Sequence, residues 1–159
     1  MSVNIAKIPH MLIGGSTGSG KSVLLKLVLT QCVKKDAKVY IADFKGGVDF
    51  PPIWHTKCSL LTDEKTLHKV LVSITDELQN RKQILRTAGV ANIDEYNRNA
   101  EKKLYRIVFA CDEIAEVLDK TGLSKQQKDE ILKIESELSI IARQGRAFGI
   151  RSEEHTSEL

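Results

Sequence analysis

The fold of this chain is decided by residues 15–22, which read Gly15-Ser16-Thr17-Gly18-Ser19-Gly20-Lys21-Ser22. They match the pattern G-x-x-x-x-G-K-[ST] and lie between a short apolar run at residues 11–13 and a segment of helical periodicity. In such a loop the glycines let successive N–H groups point into one concavity, and the dipole of the following helix adds positive charge. The pattern therefore predicts that residues 15–23, up to and including Val23, bind the phosphates of ATP.

Two side chains of this loop carry chemistry beyond phosphate binding. The Lys21 ammonium is predicted to reach the β and γ phosphates, where it also serves catalysis, and the Ser22 hydroxyl is predicted to hold Mg²⁺. The alternative is a glycine-rich turn without a ligand, which the strand before the loop and the helix after it disfavour.

A second motif is the apolar run at residues 107–111, followed by Asp112 and Glu113. A buried parallel strand ends at the edge of the sheet where ligands bind, so the pattern is that of a Walker B strand. Asp112 is predicted to hold Mg²⁺, commonly through water, and Glu113 is suited to orient or deprotonate the attacking water. An Asp-Glu pair after a strand is otherwise often a solvated turn, but the phosphate loop favours the catalytic interpretation.

The remaining pattern alternates strands with helices. Residues 39–42 predict a second buried strand, and Asp63, Asn92 and Ser124 are candidate N-caps of three further helices, with Gly89 ending the first of them. The helix after the phosphate loop is predicted to present a wide apolar face formed by Val23, Leu24, Leu27, Val28 and Val33. Strands in alternation with helices predict an α/β fold with a parallel sheet and flanking helices.

Length and composition exclude several classes of protein. The chain has 159 residues, of which 42% are hydrophobic and 28% charged, so one globular domain is expected and a disordered tail or fibre is not. There is no apolar stretch of about 20 residues to span a membrane and no secretory signal, so the default expectation is a cytoplasmic protein. The net charge of +3 is too small to indicate nucleic acid by itself.

With these motifs in hand, the chain resembles the FtsK/SpoIIIE group of motor ATPases in the RecA-like P-loop class, from residue 9 to residue 150. Four ordered segments carry the resemblance: PHMLIGGSTGSGKSV at 9–23, ADFKGG at 42–47, VFACDE at 108–113 and ARQGRAFGI at 142–150. The resemblance implies ATP hydrolysis with Mg²⁺ and self-association into a ring, typically a hexamer. It also implies double-stranded DNA as the partner, pumped during chromosome segregation, sporulation or conjugative transfer.

Three basic residues in these segments have an open role. Lys45 is either a nucleotide-edge or subunit-contact residue, or a solvated lysine in a glycine turn. Arg143 and Arg146 are spaced i, i+3, so they are candidates to present a guanidinium to a neighbour's γ-phosphate or to sense its state. A structural ion pair with Glu135 or Glu137 is the alternative for these arginines.

Other functions remain open at this point. ATPases of type VII protein secretion are similar to the same group and also carry a D-[FY]-K-G-G segment, so that segment does not distinguish DNA from protein as the substrate. A P-loop small-molecule kinase is less favoured, because such kinases usually lack a glutamate directly after the Walker B aspartate. A domain that binds nucleotide without hydrolysing it is a further alternative.

The last nine residues, RSEEHTSEL at 151–159, depart from the family pattern. They resemble the translation of a sequencing-library adapter, whereas the family continues here into a strand that ends in a polar sensor segment. We therefore expect residues 1–150 to be a partial ATPase domain, incomplete at its C-terminus, and residues 151–159 to be a non-native or disordered tail. On this expectation the Walker B strand lacks a neighbour on one side. A natural polar tail is the alternative. Many members of the group carry membrane anchors, so the resemblance also implies that the longer parent protein is anchored to the inner face of the cell membrane.

Overall fold

The structure, a computed structural model, describes residues 10–14, 16, 18–45 and 49–156. Within these residues the sheet contains five strands, which are β1 His10–Gly14, β2 Lys38–Asp43, β3 Cys58–Leu61, β4 Ile107–Asp112 and β5 Ile150–Thr156. The strand order is β1-β5-β4-β2-β3, and every neighbouring pair is parallel. Parallel strands need crossover connections, and helices provide most of them here.

In the described part of the chain, five helices accompany the sheet: α1 Lys21–Lys34, α2 Glu64–Ala88, α3 Ile93–Asn99, α4 Ile114–Leu118 and α5 Lys125–Gln144. Two short 3-10 turns, Pro52–Thr56 and Gly145–Phe148, precede β3 and β5. The predicted α/β fold with a parallel sheet and flanking helices is confirmed. Within the described residues, no helix is both long enough and apolar enough to span a membrane.

The predicted helix boundaries follow from local capping. The Asp63 carboxylate accepts a hydrogen bond from the Thr66 amide at 2.8 Å, and α2 ends at Gly89 in the left-handed conformation with φ 67°. Asn92 caps α3 through the Glu95 amide, and Ser124 opens α5 with a complete capping box. Each cap satisfies a backbone N–H that the first turn of a helix leaves without a partner.

The sheet is buried on both faces, and the side chains of β2 and β4 alternate between them. Val39 and Ile41 share one hydrophobic cluster with Leu25 and Leu29 of α1. Residues of the opposite parity, such as Tyr40 and Phe109, pack with α2 and α5 in a second cluster. The β2 burial pattern explains why this strand reads as a continuous apolar run, as strands of doubly covered parallel sheets do.

The predicted face of α1 is wrong in part. Val28 and Val33 do pack against the core, but Val23, Leu24 and Leu27 are exposed to 61%, 48% and 59%. The residues that seat α1 on the sheet are Leu25, Leu29 and Cys32, which recur at spacings of four and three. Because α1 is apolar over more than one face, periodicity alone did not select the buried one.

The expectation of a disordered tail is wrong for residues 151–156. They continue β5 between β1 and β4, with Gly14 opposite Thr156 and Ile107 opposite Ile150. The physical reason is that strand pairing uses backbone N–H and C=O groups, which every non-proline sequence supplies. The Walker B strand β4 therefore has neighbours on both sides, contrary to the expected open edge. The non-native origin of residues 151–159 stays a hypothesis, and residues 157–159 lie outside the described residues.

Arg81 of α2 ties the helical layer to the turn that precedes β5. Its guanidinium is fully buried, with Nε donating to Glu77 Oε1 at 2.7 Å and Nη1 donating to the Phe148 carbonyl at 2.8 Å. The guanidinium carbon also lies 5.3 Å from the centre of the Tyr105 ring. Desolvation raises the pKa of Glu77, but the hydrogen bonds from Arg81 and Asn80 outweigh it and lower the pKa below its ordinary value.

We expect Glu77→Gln to lower the free energy of unfolding by about 3 kcal/mol at neutral pH, because it leaves the buried Arg81 charge without its carboxylate. The pKa of Glu77 is lowered in the folded protein, so this stabilisation is fully present at a pH above the pKa that the carboxyl has in the unfolded chain. It is lost as the pH falls through the folded-state pKa. Urea unfolding between about pH 7 and about pH 3 measures the difference. The exposed neighbour Asp76→Asn is the control, and a difference that does not shrink in acid contradicts the prediction.

Candidate functional site

The candidate site lies at the carboxyl edge of the sheet, where parallel strands meet. β1 leads into the phosphate loop, β2 ends at Asp43, and β4 ends at Asp112 directly opposite Asp43. Two residues earlier in the same register, Ile41 and Ala110 belong to the cluster under α1. Because side chains alternate along a strand, Asp43 and Asp112 point to the α1 side of the sheet as well. The fold thus brings both carboxylates to the side from which the phosphate loop enters its helix.

The described part of the phosphate loop has the conformation that its glycines predict. Gly18 and Gly20 have φ values of 80° and 88°, in the left-handed region that favours glycine. α1 begins at Lys21, with no side-chain cap at Gly20 and no acidic residue in its first turn. Its amino end therefore presents amides and the positive end of the dipole to an anion without a competing carboxylate. Gly15 and Thr17, also predicted to bind phosphate, lie outside the described residues.

The side chains of the loop and first helical turn are accessible from this edge. Lys21 Nζ donates to the Ser16 carbonyl at 3.0 Å, so the ammonium bends back over the loop. Lys21 and Ser22 are half-buried, whereas Ser19 and Val23 are exposed. An ammonium held over the loop is positioned to meet phosphate oxygens that the backbone amides bind.

The two carboxylates after β4 differ in surroundings. Asp112 ends the strand and is buried, while Glu113 is the next residue and is also mostly buried. Glu113 has φ 63° and ψ 61°, a left-handed conformation that is uncommon for a residue with a side chain. This turn redirects the chain from β4 into α4 and separates the direction of the Glu113 side chain from that of Asp112.

Lys45, whose role the sequence left open, contacts Glu113. Its ammonium donates to Glu113 Oε2, and its backbone amide donates to Asp43 Oδ1 at 3.0 Å. The hydrogen bond to Glu113 raises the pKa of Lys45, and its desolvation opposes that change. The segment after β2 thus reaches across the edge of the sheet to the predicted catalytic glutamate.

Asp43 is a site residue that the sequence analysis did not single out. It is buried with an exposed fraction of 0%, at the end of a buried strand. The signal that identified Asp112, a carboxylate directly after an apolar run, is present at Asp43 as well. The predicted second strand ends at residue 42, so the sequence pattern did not mark Asp43 as a carboxylate at the end of a strand.

Arg143 and Arg146 are not brought to this edge. α5 ends at Gln144, and the turn after it enters β5 at its amino end, so both arginines lie at the opposite edge of the sheet. At about 3.3 Å per residue, a six-residue strand separates the two edges by about 20 Å. Arg143 Nε donates to the Ser139 carbonyl, and Glu135 pairs with Lys120 instead of an arginine. Both arginines are exposed and line a groove of about 470 Å³ with Arg106.

The residues present fit a nucleotide with a divalent cation. Among the described residues, no atom lies within 4 Å of a Cβ built on Gly18 or Gly20, so these residues leave the amino end of α1 open to an anion. Asp43 Oδ2 is a buried carboxylate oxygen that has no hydrogen-bond partner among the described residues. A buried charge of this kind is ordinarily paired or bound to a metal ion. Oxygen donors are the ligands that Mg²⁺ prefers.

A parallel sheet with flanking helices, a phosphate loop at the end of β1 and carboxylates at the end of β4 define a P-loop NTPase. The sequence profile of the FtsK/SpoIIIE family matches residues 1–138, and the chain belongs to this family. The family match favours a motor ATPase over a small-molecule kinase.

Individual relatives agree with this assignment. A DNA translocase FtsK of Streptococcus pyogenes serotype M6 is 31% identical over 94% of this chain, which spans 20% of that protein. The solved pCW3 conjugation coupling protein TcpA, in a monomer form with ATPγS, has a TM-score of 0.92 and 37% identity. That match covers 97% of this chain and 44% of TcpA. EssC (ATPases 2 and 3) from Geobacillus thermodenitrificans has a TM-score of 0.78 and 25% identity, over 97% of this chain and 29% of EssC.

We expect a double-mutant cycle of Lys45→Met and Glu113→Gln to show a coupling of about 0.5 to 1 kcal/mol in the free energy of unfolding at low salt. The pair is partly exposed, so the coupling should fall at high ionic strength. Urea unfolding of the four chains measures it. Pairing Lys45→Met with Glu116→Gln, an exposed glutamate on α4 whose charge acts on Lys45 without a hydrogen bond, is the control and should show a weaker coupling. Equal coupling in both cycles contradicts a specific Lys45–Glu113 contact.

Proposed function

We propose that this chain is the nucleotide-binding part of a motor domain that hydrolyses ATP to move double-stranded DNA. The observation that carries the proposal is the convergence of the phosphate loop, Asp112 and Glu113 on one edge of an FtsK/SpoIIIE fold. The chain spans a fifth of the length of its FtsK relatives, so the activity proposed is that of a longer motor. The proposal places this part in the cytoplasm.

In this mechanism each residue has one task. The amides of residues 15–23 and the Lys21 ammonium hold the phosphates of ATP, while Ser22 and Asp112 hold Mg²⁺. When bound at these residues, Mg²⁺ would neutralise charge on the phosphate oxygens. Glu113 accepts the proton of the attacking water as that water adds to the γ-phosphorus and ADP leaves.

The contact between Lys45 and Glu113 bears on this last task. A carboxylate that accepts a hydrogen bond from an ammonium is a weaker proton acceptor. Glu113 must therefore exchange the Lys45 ammonium for water before it acts as a base. In this proposal Lys45 is the nucleotide-edge residue that holds Glu113 until the water is in place.

Two surface features support self-association into a ring, which we propose to be a hexamer. Val23, Leu24 and Leu27 form an exposed apolar stripe on α1, directly after the phosphate loop. Arg143 and Arg146 are exposed and far from the nucleotide edge of their own subunit. A residue that acts on a neighbour's γ-phosphate needs both properties, so we keep these arginines as the candidates for that role.

A type VII secretion ATPase is the second candidate function. The structural similarity to EssC at 25% identity favours it, and its substrate would be a protein. The higher identities, 37% to a conjugation coupling protein and 31% to DNA translocases, support DNA instead. Stimulation of ATP hydrolysis by duplex DNA in the longer parent separates the two candidates.

We expect Lys21→Ala to weaken binding of ATP with Mg²⁺ by about tenfold or more, because it removes a charged donor while the backbone cradle stays intact. Titration with a fluorescent ATP analogue measures the affinity. Lys34→Ala, at the far end of α1, is the control and should bind like the natural chain. Unchanged affinity in a folded Lys21→Ala chain contradicts the phosphate-loop assignment.

In the longer parent protein, Glu113→Gln should keep ATP binding and lose about 100-fold or more of its DNA-stimulated hydrolysis, because the amide cannot accept the water proton. Phosphate release with and without linear duplex DNA measures this. Glu116→Gln serves as the control and should retain full stimulation. Hydrolysis by Glu113→Gln at the parental rate shows that another residue is the base. Parental hydrolysis that duplex DNA does not stimulate contradicts the DNA-translocating function.

A further inference from the structure

Asp43 is a buried carboxylate to which the tasks above give no role. Its exposed fraction is 0%, and its Oδ1 accepts a hydrogen bond from the Lys45 amide at 3.0 Å. Its Oδ2 has no hydrogen-bond partner within the part of the chain that the structure describes. No ion pair joins Asp43 to a basic side chain within that same part, since the nearby Lys45 ammonium goes to Glu113. A buried carboxylate oxygen in this condition requires a donor or a cation.

The turn that Asp43 makes does not account for its charge. The hydrogen bond from the Lys45 amide uses only Oδ1, and an asparagine makes the same turn without burying a charge. The charge on Oδ2 therefore needs a reason of its own. That reason has to lie at the carboxyl edge of β2, where Oδ2 is buried.

The neighbouring strand supplies the reason. Asp43 and Asp112 are register partners on β2 and β4, and both point to the α1 side of the sheet. Adjacent strands lie about 4.8 Å apart, so two carboxylates on one face repel each other unless a cation lies near both. A Mg²⁺ ion keeps several of its waters, and each of those waters has protons to donate.

We propose that Asp43 is a second carboxylate of the cation site, where its Oδ2 accepts a hydrogen bond from a water bound to the divalent cation that Asp112 helps to hold. This inference rests on the proposed function, which places Mg²⁺ beside Ser22 and Asp112. Within the described residues no group of three or more His, Cys, Asp or Glu can hold a metal ion. The site is therefore completed by Ser22, by water and by the phosphates of the nucleotide.

The test is the cation dependence of nucleotide binding by Asp43→Asn, which keeps the size and the turn-forming oxygen but removes the charge. We expect the Mg²⁺ or Mn²⁺ concentration for half-maximal binding of a fluorescent ATP analogue to rise about tenfold. With the cation removed by a chelator, the affinity should not fall, since a negative charge near the phosphates is gone. A variant that weakens binding equally with and without cation has lost structure only, and that result overturns the proposal.

Two further variants make the result specific. Asp119 forms the same turn with the Thr121 amide at 2.8 Å but is exposed, so Asp119→Asn should behave like the natural chain. Asp112→Asn should raise the cation requirement. If Asp112→Asn raises it and Asp43→Asn does not, the inference about Asp43 alone is wrong. If neither variant changes it, the cation site of the proposed function is wrong as well.

A measurement on the natural chain removes any dependence on the folding of the variants. Mn²⁺ bound with ADP should broaden the ¹³C carboxyl signals of Asp43 and Asp112 and leave that of Asp119 sharp. A sharp Asp43 signal beside a broadened Asp112 signal overturns the proposal.

Discussion

The pairing of β5 with both β1 and β4 is the interaction on which this structure depends. β1 carries the phosphate loop and, within the described residues, pairs with no strand except β5. β4 carries Asp112, and β5 joins it to β1 in a parallel register. Two strands that do not pair with each other thus hold the two halves of the candidate nucleotide site at a fixed distance. Since hydrogen bonds between backbones set that distance, the geometry of the site depends on the backbone of β5 more than on its side chains.

This dependence explains how residues that resemble an adapter translation can occupy a central strand. Backbone pairing accepts any non-proline residue, but burial does not. Arg151 and Ser152 have exposed fractions of 1% each, in a strand that has neighbours on both sides. A buried arginine in such a strand is costly even when it is paired, whereas the strands β2 and β4 bury mainly apolar side chains. Residues 151 and 152 thus differ in polarity from the other buried strand residues, and the non-native origin of residues 151–159 stays a hypothesis.

Much of the fold could be predicted because contacts between residues close in sequence determine where the helices begin and end. The caps at Asp63, Asn92 and Ser124 and the glycine at 89 act within four residues, so sequence spacing reveals them. β3 at Cys58–Leu61 was not identified, because four residues with mixed burial show neither an apolar run nor an alternation. The exposed stripe of α1 was mistaken for core because burial depends on how the helix lies on the sheet. Packing of that kind is a tertiary property that periodicity does not contain.

The same distinction holds for the site. The phosphate loop and Asp112 belong to contiguous motifs, but the contact between Lys45 and Glu113 joins residues 68 positions apart. The contact forms because β2 and β4 are adjacent in the sheet, and the order of the strands along the chain does not reveal that adjacency. Asp43 combines both cases. Its position after an apolar run is visible in the sequence, but its pairing opposite Asp112 is visible only in the structure. The end of β2 and the turn after it therefore place the Asp43 carboxylate opposite Asp112, the proposed cation ligand, and the Lys45 ammonium on Glu113, the proposed base. In the proposed mechanism, a displacement of this turn would alter cation binding and the strength of the base together, because Asp43 and Lys45 are two residues apart on one turn.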